Sequence, residues 1–181
     1  MSRSGTTSLV LTAIGDDRPG LVERLATAIS QNDGNWLDAS MSHLAGKFAG
    51  IVCVSVADER LDALKKALAE VPGLRITAEV SELAVPSEKI ESGRRLKLSL
   101  VGHDRIGIVR EVSQVLARHA VNVEELNTHT ASAPMSAEIL FHATAELTAA
   151  PALDARALTR DLEQISNDLM VDITLDETIR P

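Results

Sequence analysis

The chain has 181 residues, of which 45% are hydrophobic, 24% charged and 2% aromatic, the balance of an ordinary folded protein and not of a disordered or fibrous one. Eighteen basic against 26 acidic residues leave a net charge of −8, which repels a phosphate backbone and argues against direct binding of nucleic acid. No apolar run approaches the ~20 residues of a membrane span, and the polar start Met1-Ser-Arg-Ser-Gly is unlike a signal peptide, so a cytoplasmic protein without membrane attachment is expected.

In chain order, Thr7 to Ile14 suits a strand that stops at Gly15. After Asp17-Arg18-Pro19-Gly20, the residues Leu21, Val22, Leu25, Ala28 and Ile29 keep helical spacing. Asp17 stands where an N-cap carboxylate would accept a backbone N–H, and Pro19 fits a first helical turn. The polar Gln-Asn-Asp-Gly of residues 31–34 closes that helix. A hairpin follows, Asn35 to Leu44 and Phe48 to Val56 about residues 45–47. Leu61, Leu64, Leu68 and Val71 mark a second helix closed by Pro72-Gly73, and the alternation of Leu74, Ile76, Ala78 and Val80 marks a last strand.

The same order then returns. Leu96 to Val101 reads as a strand; Ile108, Val109, Val112, Val115 and Leu116 as a helix with Asp104 at its cap; Val121 to Thr130 and Ser136 to Leu147 as a hairpin around Ala133-Pro134. Leu158, Leu162, Ile165 and Leu169 form a helix, and Val171, Ile173 and Leu175 a final strand. Gly15, Asp17, Arg18, Gly20 and Val22 recur 87 residues later as Gly102, Asp104, Arg105, Gly107 and Val109, and Asn35 recurs as Asn122. Two copies of this length predict two domains, residues 1–85 and 96–181, joined by a polar linker at 86–95. Each has the order βαββαβ, an α+β ferredoxin-like fold in which a four-stranded antiparallel sheet carries two helices on one face. The opposite face needs a cover, so pairing between units is expected.

The repeated strand-to-helix loop is the informative site, because this fold by itself serves many functions. A helix N-terminus offers unpaired N–H groups to a carboxylate, and glycines let a ligand approach the backbone. Asp16 and Asp17, or His103 and Asp104, can accept hydrogen bonds from an ammonium group. Both ends of an amino-acid zwitterion are matched, and the amides of Asn35 and Asn122 can grip either end. The alternative is that Asp17 and Asp104 are plain caps and the glycines plain turn formers. Other chemistries are poorly supplied. His129 and His142 can face one another across the second hairpin, but two imidazoles fall short of a zinc site. Cys53, the only cysteine, lies in the run Ile51-Val-Cys-Val54 and reads as an inert core thiol. RNA recognition lacks its aromatics, with only Phe48 and Phe141 on central strands, and a helix-turn-helix lacks its basic face. Trp36 reads as a core or interface plug.

Gly-Asp-Asp-Arg-Pro-Gly-Leu-Val and Gly-His-Asp-Arg-Ile-Gly-Ile-Val, each followed by an asparagine after the helix, resemble the signature of ACT domains, small regulatory modules that bind amino acids. A chain made of two such units is similar to the glycine cleavage system transcriptional repressor family. The resemblance implies a homodimeric, glycine- or serine-responsive regulator that contacts a DNA-bound transcriptional activator, needs no cofactor, and binds its ligand at an interface between units. The ligand-binding positions it carries over are Gly15, Asp16, Asp17, Arg18, Pro19, Gly20, Leu21, Val22 and Asn35 in one half. In the other they are Gly102, His103, Asp104, Arg105, Ile106, Gly107, Ile108, Val109 and Asn122. Ile106 departs from the usual proline and position 16 is Asp against His103, so the two sites are not expected to be equivalent. A ligand-independent adaptor is the alternative. An enzyme of the deformylase or uridylyl-transfer kind would need a catalytic domain for which no residues remain, so a non-enzymatic role is expected.

Overall fold

A computed structural model describes residues 5–81, 93–133, 138–169 and 171–177. The chain divides into two compact units, Met1–Lys89 and Ile90–Pro181. The first contains β1 (Thr6–Asp16), α1 (Leu21–Ser30), β2 (Asn35–Leu44), β3 (Lys47–Ala57), α2 (Leu61–Ala69) and β4 (Arg75–Val80). The second contains β5 (Arg94–His103), α3 (Ile108–Arg118), β6 (Asn122–Ser132), β7 (Ile139–Ala149), α4 (Ala155–Leu169) and β8 (Val171–Glu177). Both sheets are antiparallel, ordered β2-β3-β1-β4 and β6-β7-β5-β8. This is the ferredoxin-like arrangement the patterning predicts, twice.

The order follows from which strands carry apolar residues at every second position. Leu9, Leu11 and Ala13 of β1 and Val52, Val54 and Val56 of β3 are buried beneath the helices, so these two strands take the centre. Leu21, Leu25 and Ile29 of α1 and Leu64 and Leu68 of α2 close the core over them. In the second unit, Leu96, Leu98 and Leu100 of β5 and Ala143, Ala145 and Leu147 of β7 meet Val112, Val115 and Leu116 of α3 and Leu158 and Leu162 of α4. Each unit thus has a hydrophobic core of its own.

Several boundaries differ from the sequence expectation. The first strands do not stop at their glycines: Gly15 pairs with Phe48 and Asp16 with Lys47, while Gly102 pairs with Phe141 and His103 with Leu140. Pairing to a hairpin partner sustains the ladder where alternation has already failed. Asp17 and Asp104 are not N-caps; the caps are Gly20 and Gly107, and neither helix has a side-chain cap. Pro19 accordingly lies in the turn before α1. Val71 is buried beyond the end of α2, and Val80, at the end of β4, is exposed. Cys53 lies half-buried on the sheet face away from the helices, because its neighbours Val52 and Val54 take the core side.

Of the expected linker, Arg94 and Arg95 belong to β5, opposite Ala149 and Thr148. Arg94 donates to both carboxylate oxygens of Glu177 at 2.9 Å and to the Leu153 carbonyl at 2.9 Å, which fixes the strand's start. Residues 86–92, like Pro134 and Ser136 of the second hairpin, lie outside the described residues.

Leu64 and Leu158 are fully buried in their units, and truncation of either to alanine is expected to cost about 2–5 kcal/mol, read as a lower urea midpoint. A second dependence is on pH. His119, at the end of α3, bonds the Asp161 carboxylate of α4 through Nε2 at 2.9 Å. That hydrogen bond holds the Asp161 carboxyl below its ordinary value, outweighing a partial desolvation that pushes the other way. A carboxyl whose pKa is depressed on folding stabilises above its unfolded value and loses that contribution as pH falls through the folded one. His119→Ala should therefore lower Tm at neutral pH, and the difference from the parent should shrink as the pH drops below the ordinary value of 3.8.

Candidate functional site

The two strand-to-helix loops share one backbone plan. The chain leaves β1 at Asp16, and the Asp17 N–H donates to the Gly46 carbonyl at 3.0 Å, tying the loop to the neighbouring hairpin turn. That turn has positive φ at both Ala45 and Gly46, 50° and 75°, the mark of a primed hairpin turn. In the second unit the Asp104 N–H donates to the Ile139 carbonyl at 3.0 Å. Each loop then enters its helix through a left-handed glycine, Gly20 at φ 90° and Gly107 at φ 101°. A Cβ at Gly20 would meet nothing within 4 Å, so the backbone conformation alone demands glycine there.

Gly15 and Gly102 are glycines for a different reason. A Cβ on Gly15 would lie 2.0 Å from the Gly73 carbonyl oxygen, and one on Gly102 would lie 2.1 Å from Val171 Cγ1. Packing of the chain's own last strand, or of the turn before it, fills the space expected for a ligand at these two positions.

The first intrahelical bonds are Arg24 N–H to Gly20 and Glu111 N–H to Gly107, at 3.1 and 3.0 Å. Ahead of them the N–H groups of Leu21, Val22 and Glu23, and of Ile108, Val109 and Arg110, have no acceptor among the described residues. These are the unpaired donors of a helix start, where the macrodipole also favours negative charge. Asp17 and Asp104 stand just before them, and among the described residues no hydrogen bond or ion pair reaches either carboxylate.

The other polar residues of the loops are engaged. Asp16 accepts from Lys47 Nζ at 2.5 Å and lies 3.7 Å from the Arg18 guanidinium. The Lys47 hydrogen bond, then its charge, holds the Asp16 carboxyl below its ordinary value, so Asp16 is engaged by two cations of its own chain. Arg105 reaches both oxygens of Glu111, at 3.1 and 3.3 Å, and His103 Nδ1 lies 3.8 Å from the Glu138 carboxylate. Lys47, Glu111 and Glu138 are the site neighbours that sequence reasoning missed. Sheet register brings Lys47 beside Asp16, and nothing in local spacing announces it. Ile106 is fully exposed.

The asparagines do not join the loops within a unit. Asn35 pairs with Ser55, itself opposite Ser8, whereas the loop leaves β1 at Asp16. Eight residues of strand separate the two ends, about 25 Å. Asn122 lies likewise opposite Thr148 and Arg95, at the far end from His103. Its amide donates to Glu124 at 2.6 Å, and Thr148 donates to the same oxygen at 2.6 Å.

In the second unit a cleft of about 30 Å³ opens between α3 and the helix-facing side of the sheet. Leu98, Leu100, Val112, Leu116 and Phe141 line its depth, and it runs up to Ile108 and Val109, the first two residues of α3. On the opposite sheet face the rings of His129 and His142 stack with centroids 4.7 Å apart. Among the described residues, no group of three or more His, Cys, Asp or Glu side chains is placed to hold a metal ion. No helix among them is long and apolar enough to cross a membrane.

Residues 7–80 match the ACT domain. The first unit is an ACT domain. The second unit repeats the ACT topology of the first, giving a tandem ACT protein. A protein of unknown function from Galdieria sulphuraria is 30% identical and superposes with a TM-score of 0.80 over 97% of this chain and 100% of that one. A candidate glycine cleavage system transcriptional repressor, 17% identical, has the same fold, with a TM-score of 0.73 over 97% of this chain and 99% of that one. Among curated proteins, none matches.

The left-handed caps give a direct test of the loop geometry. Gly20→Ala and Gly107→Ala should each destabilise by about 1–2 kcal/mol through the left-handed backbone alone, whereas Gly102→Ala, which drives a methyl into Val171, should cost more. Denaturant midpoints of the three variants check the order.

Proposed function

We propose that this tandem ACT protein is a regulator that binds a small amino acid at its strand-to-helix loops and transmits that binding to a protein partner. The observation that carries the reading is the repeated pairing of an uncapped helix start with an aspartate whose carboxylate has no partner among the described residues. The free N–H groups of Leu21 to Glu23 suit the carboxylate of an α-amino acid, and Asp17 suits its ammonium group; Ile108 to Arg110 and Asp104 repeat the arrangement. Each asparagine lies far from the loop of its own unit, so within a unit the loop residues alone hold the ligand. Binding is transmitted through a difference in the partner's affinity for the bound and free states.

Glycine or serine is the first ligand to test, and regulation of transcription the first process. The name of the candidate glycine cleavage repressor that shares the fold supports both. With a net charge of −8, the protein acts through a transcriptional activator or another protein and not on DNA, and it functions as a homodimer without catalysis. Ile106, fully exposed at the tip of the second loop, favours a second reading in which that loop anchors a partner without any ligand.

A thermal-shift screen of the common amino acids, followed by calorimetry, separates the two. Ligand at 100 times its Kd adds about 2.7 kcal/mol to the folded state and raises the midpoint by several degrees. Asp17→Ala or Asp104→Ala should weaken the hit by ~1.5–3 kcal/mol, about ten- to a hundredfold, through loss of a charge-assisted hydrogen bond. Absence of any shift or calorimetric heat at millimolar amino acid leaves the adaptor.

A further inference from the structure

We propose that the sheet face of the second unit turned away from its helices holds a divalent transition-metal ion, of the kind that seeks imidazole, between His129 of β6 and His142 of β7. The site is separate from the strand-to-helix loops and does not depend on their amino-acid reading.

Sheet register sets the two residues directly opposite one another, where cross-strand Cβ atoms lie about 5 Å apart. Their rings face each other with centroids 4.7 Å apart and planes 4° from parallel. Apart from this contact, neither imidazole has a hydrogen bond or ion pair among the described residues, so each neutral ring keeps one nitrogen lone pair for a ligand. His129 is exposed and His142 half-buried. The torsion that turns an imidazole about its Cβ–Cγ bond is broad. A turn of the exposed His129 ring brings one nitrogen from each side chain onto a shared ion, about 2.0–2.1 Å from both.

Duplication supplies an internal control. The pair equivalent to His129 and His142 in the first unit is Ser42 opposite Ala49. The same sheet therefore forms with no histidine at either position, and both histidines lie outside the hydrophobic core of their own unit. Folding does not account for them. The surroundings favour a cation: by the alternation of the registers, Asp172 shares the row of the pair, and Glu125, Glu146, Lys97 and Asp176 form a row on the same face. Carboxylates outnumber the lysine in these rows, and the field they set up draws a dication toward the sheet.

Two imidazoles do not make a closed zinc site, which takes four protein ligands. They make an open chelate whose other positions water fills, and an ion held by it ties the edge strand β6 to β7. For a nitrogen pair the order of affinity places Cu²⁺ above Ni²⁺ and Zn²⁺, while Mg²⁺ keeps to oxygen ligands.

Calorimetry on the full chain with the chlorides of copper(II), nickel, zinc and magnesium tests this. Saturable binding of Cu²⁺ is expected, with Ni²⁺ and Zn²⁺ weaker and Mg²⁺ silent. His129→Ser and His142→Ala each install the residue of the first unit, which guards the fold. Each should weaken Cu²⁺ binding roughly a hundredfold, because the second imidazole acts as a tethered ligand for an ion already held by the first. His43→Ala, which removes an exposed histidine of β2, should leave the affinity as it was. Absence of saturable Cu²⁺ binding by the parent overturns the inference. Binding undiminished in either histidine variant overturns it as well, and marks an adventitious ion only.

Discussion

Both halves of the protein depend on one backbone constraint, the left-handed step at Gly20 and Gly107 that turns a central strand into the first helix. A helix entered through a residue with φ near 90–101° begins without a side-chain cap. Its first N–H groups consequently stay open, and the aspartate three residues earlier is thrown clear of the helix end instead of folding over it. A conventional Ser or Asp cap at this place would stabilise the helix by about 1 kcal/mol and would occupy the same donors. The fold gives up that local stability, and the sheet, tied to the loop through Asp17 or Asp104, supplies the rigidity in its place.

The fold was legible because two periods are plain in the sequence. Leu9, Leu11 and Ala13 alternate, Leu21, Leu25 and Ile29 follow the helical repeat, and the second unit says the same again with different residues. The duplication itself separated the signal from chance. What local reading lacked was sheet order. Asp17 looked like a cap because an acidic residue precedes an amphipathic run by the usual few positions, yet the chain spends those positions on a turn. Asp16 looked unpaired until β3 placed Lys47 beside it, and both asparagines looked adjacent to the loops of their own units until strand pairing put them at the far ends of their sheets. These are long-range facts, set by which strands lie side by side, and a linear pattern does not contain them. Among the described residues, in contrast, no hydrogen bond or ion pair reaches the Asp17 or Asp104 carboxylate, because the glycine-entered turn carries them clear of the helix end.

Duplication also permits divergence. Since each unit buries its own leucine and valine core, a residue can change size in one without repacking the other. The contrast of Trp36 with Val123 and of Met41 with Thr128 sits at the border between core and edge strand, where an exchange of volume costs least. The outer sheet faces are mixed in both units: Val10, Ile14, Ile51 and Cys53 share the first with Thr12, Asp38 and Glu79, and Lys97, His129, His142 and Glu146 share the second with Val101 and Leu140.

The irregular pairing that both edge strands share has a consequence for the molecule in a crowded solution. β2 slips register between Trp36 and Asp38, and β6 between Val123 and Glu125. An extra residue there kinks and twists the outermost strand near its start, and in β6 that extra residue is Glu124, a carboxylate engaged by Asn122 and Thr148. An unrelated strand arriving at the open edge meets a bend and a charge before it completes a ladder, so uncontrolled stacking into fibres is blocked at that end. An exposed edge can then persist in solution without a covering element.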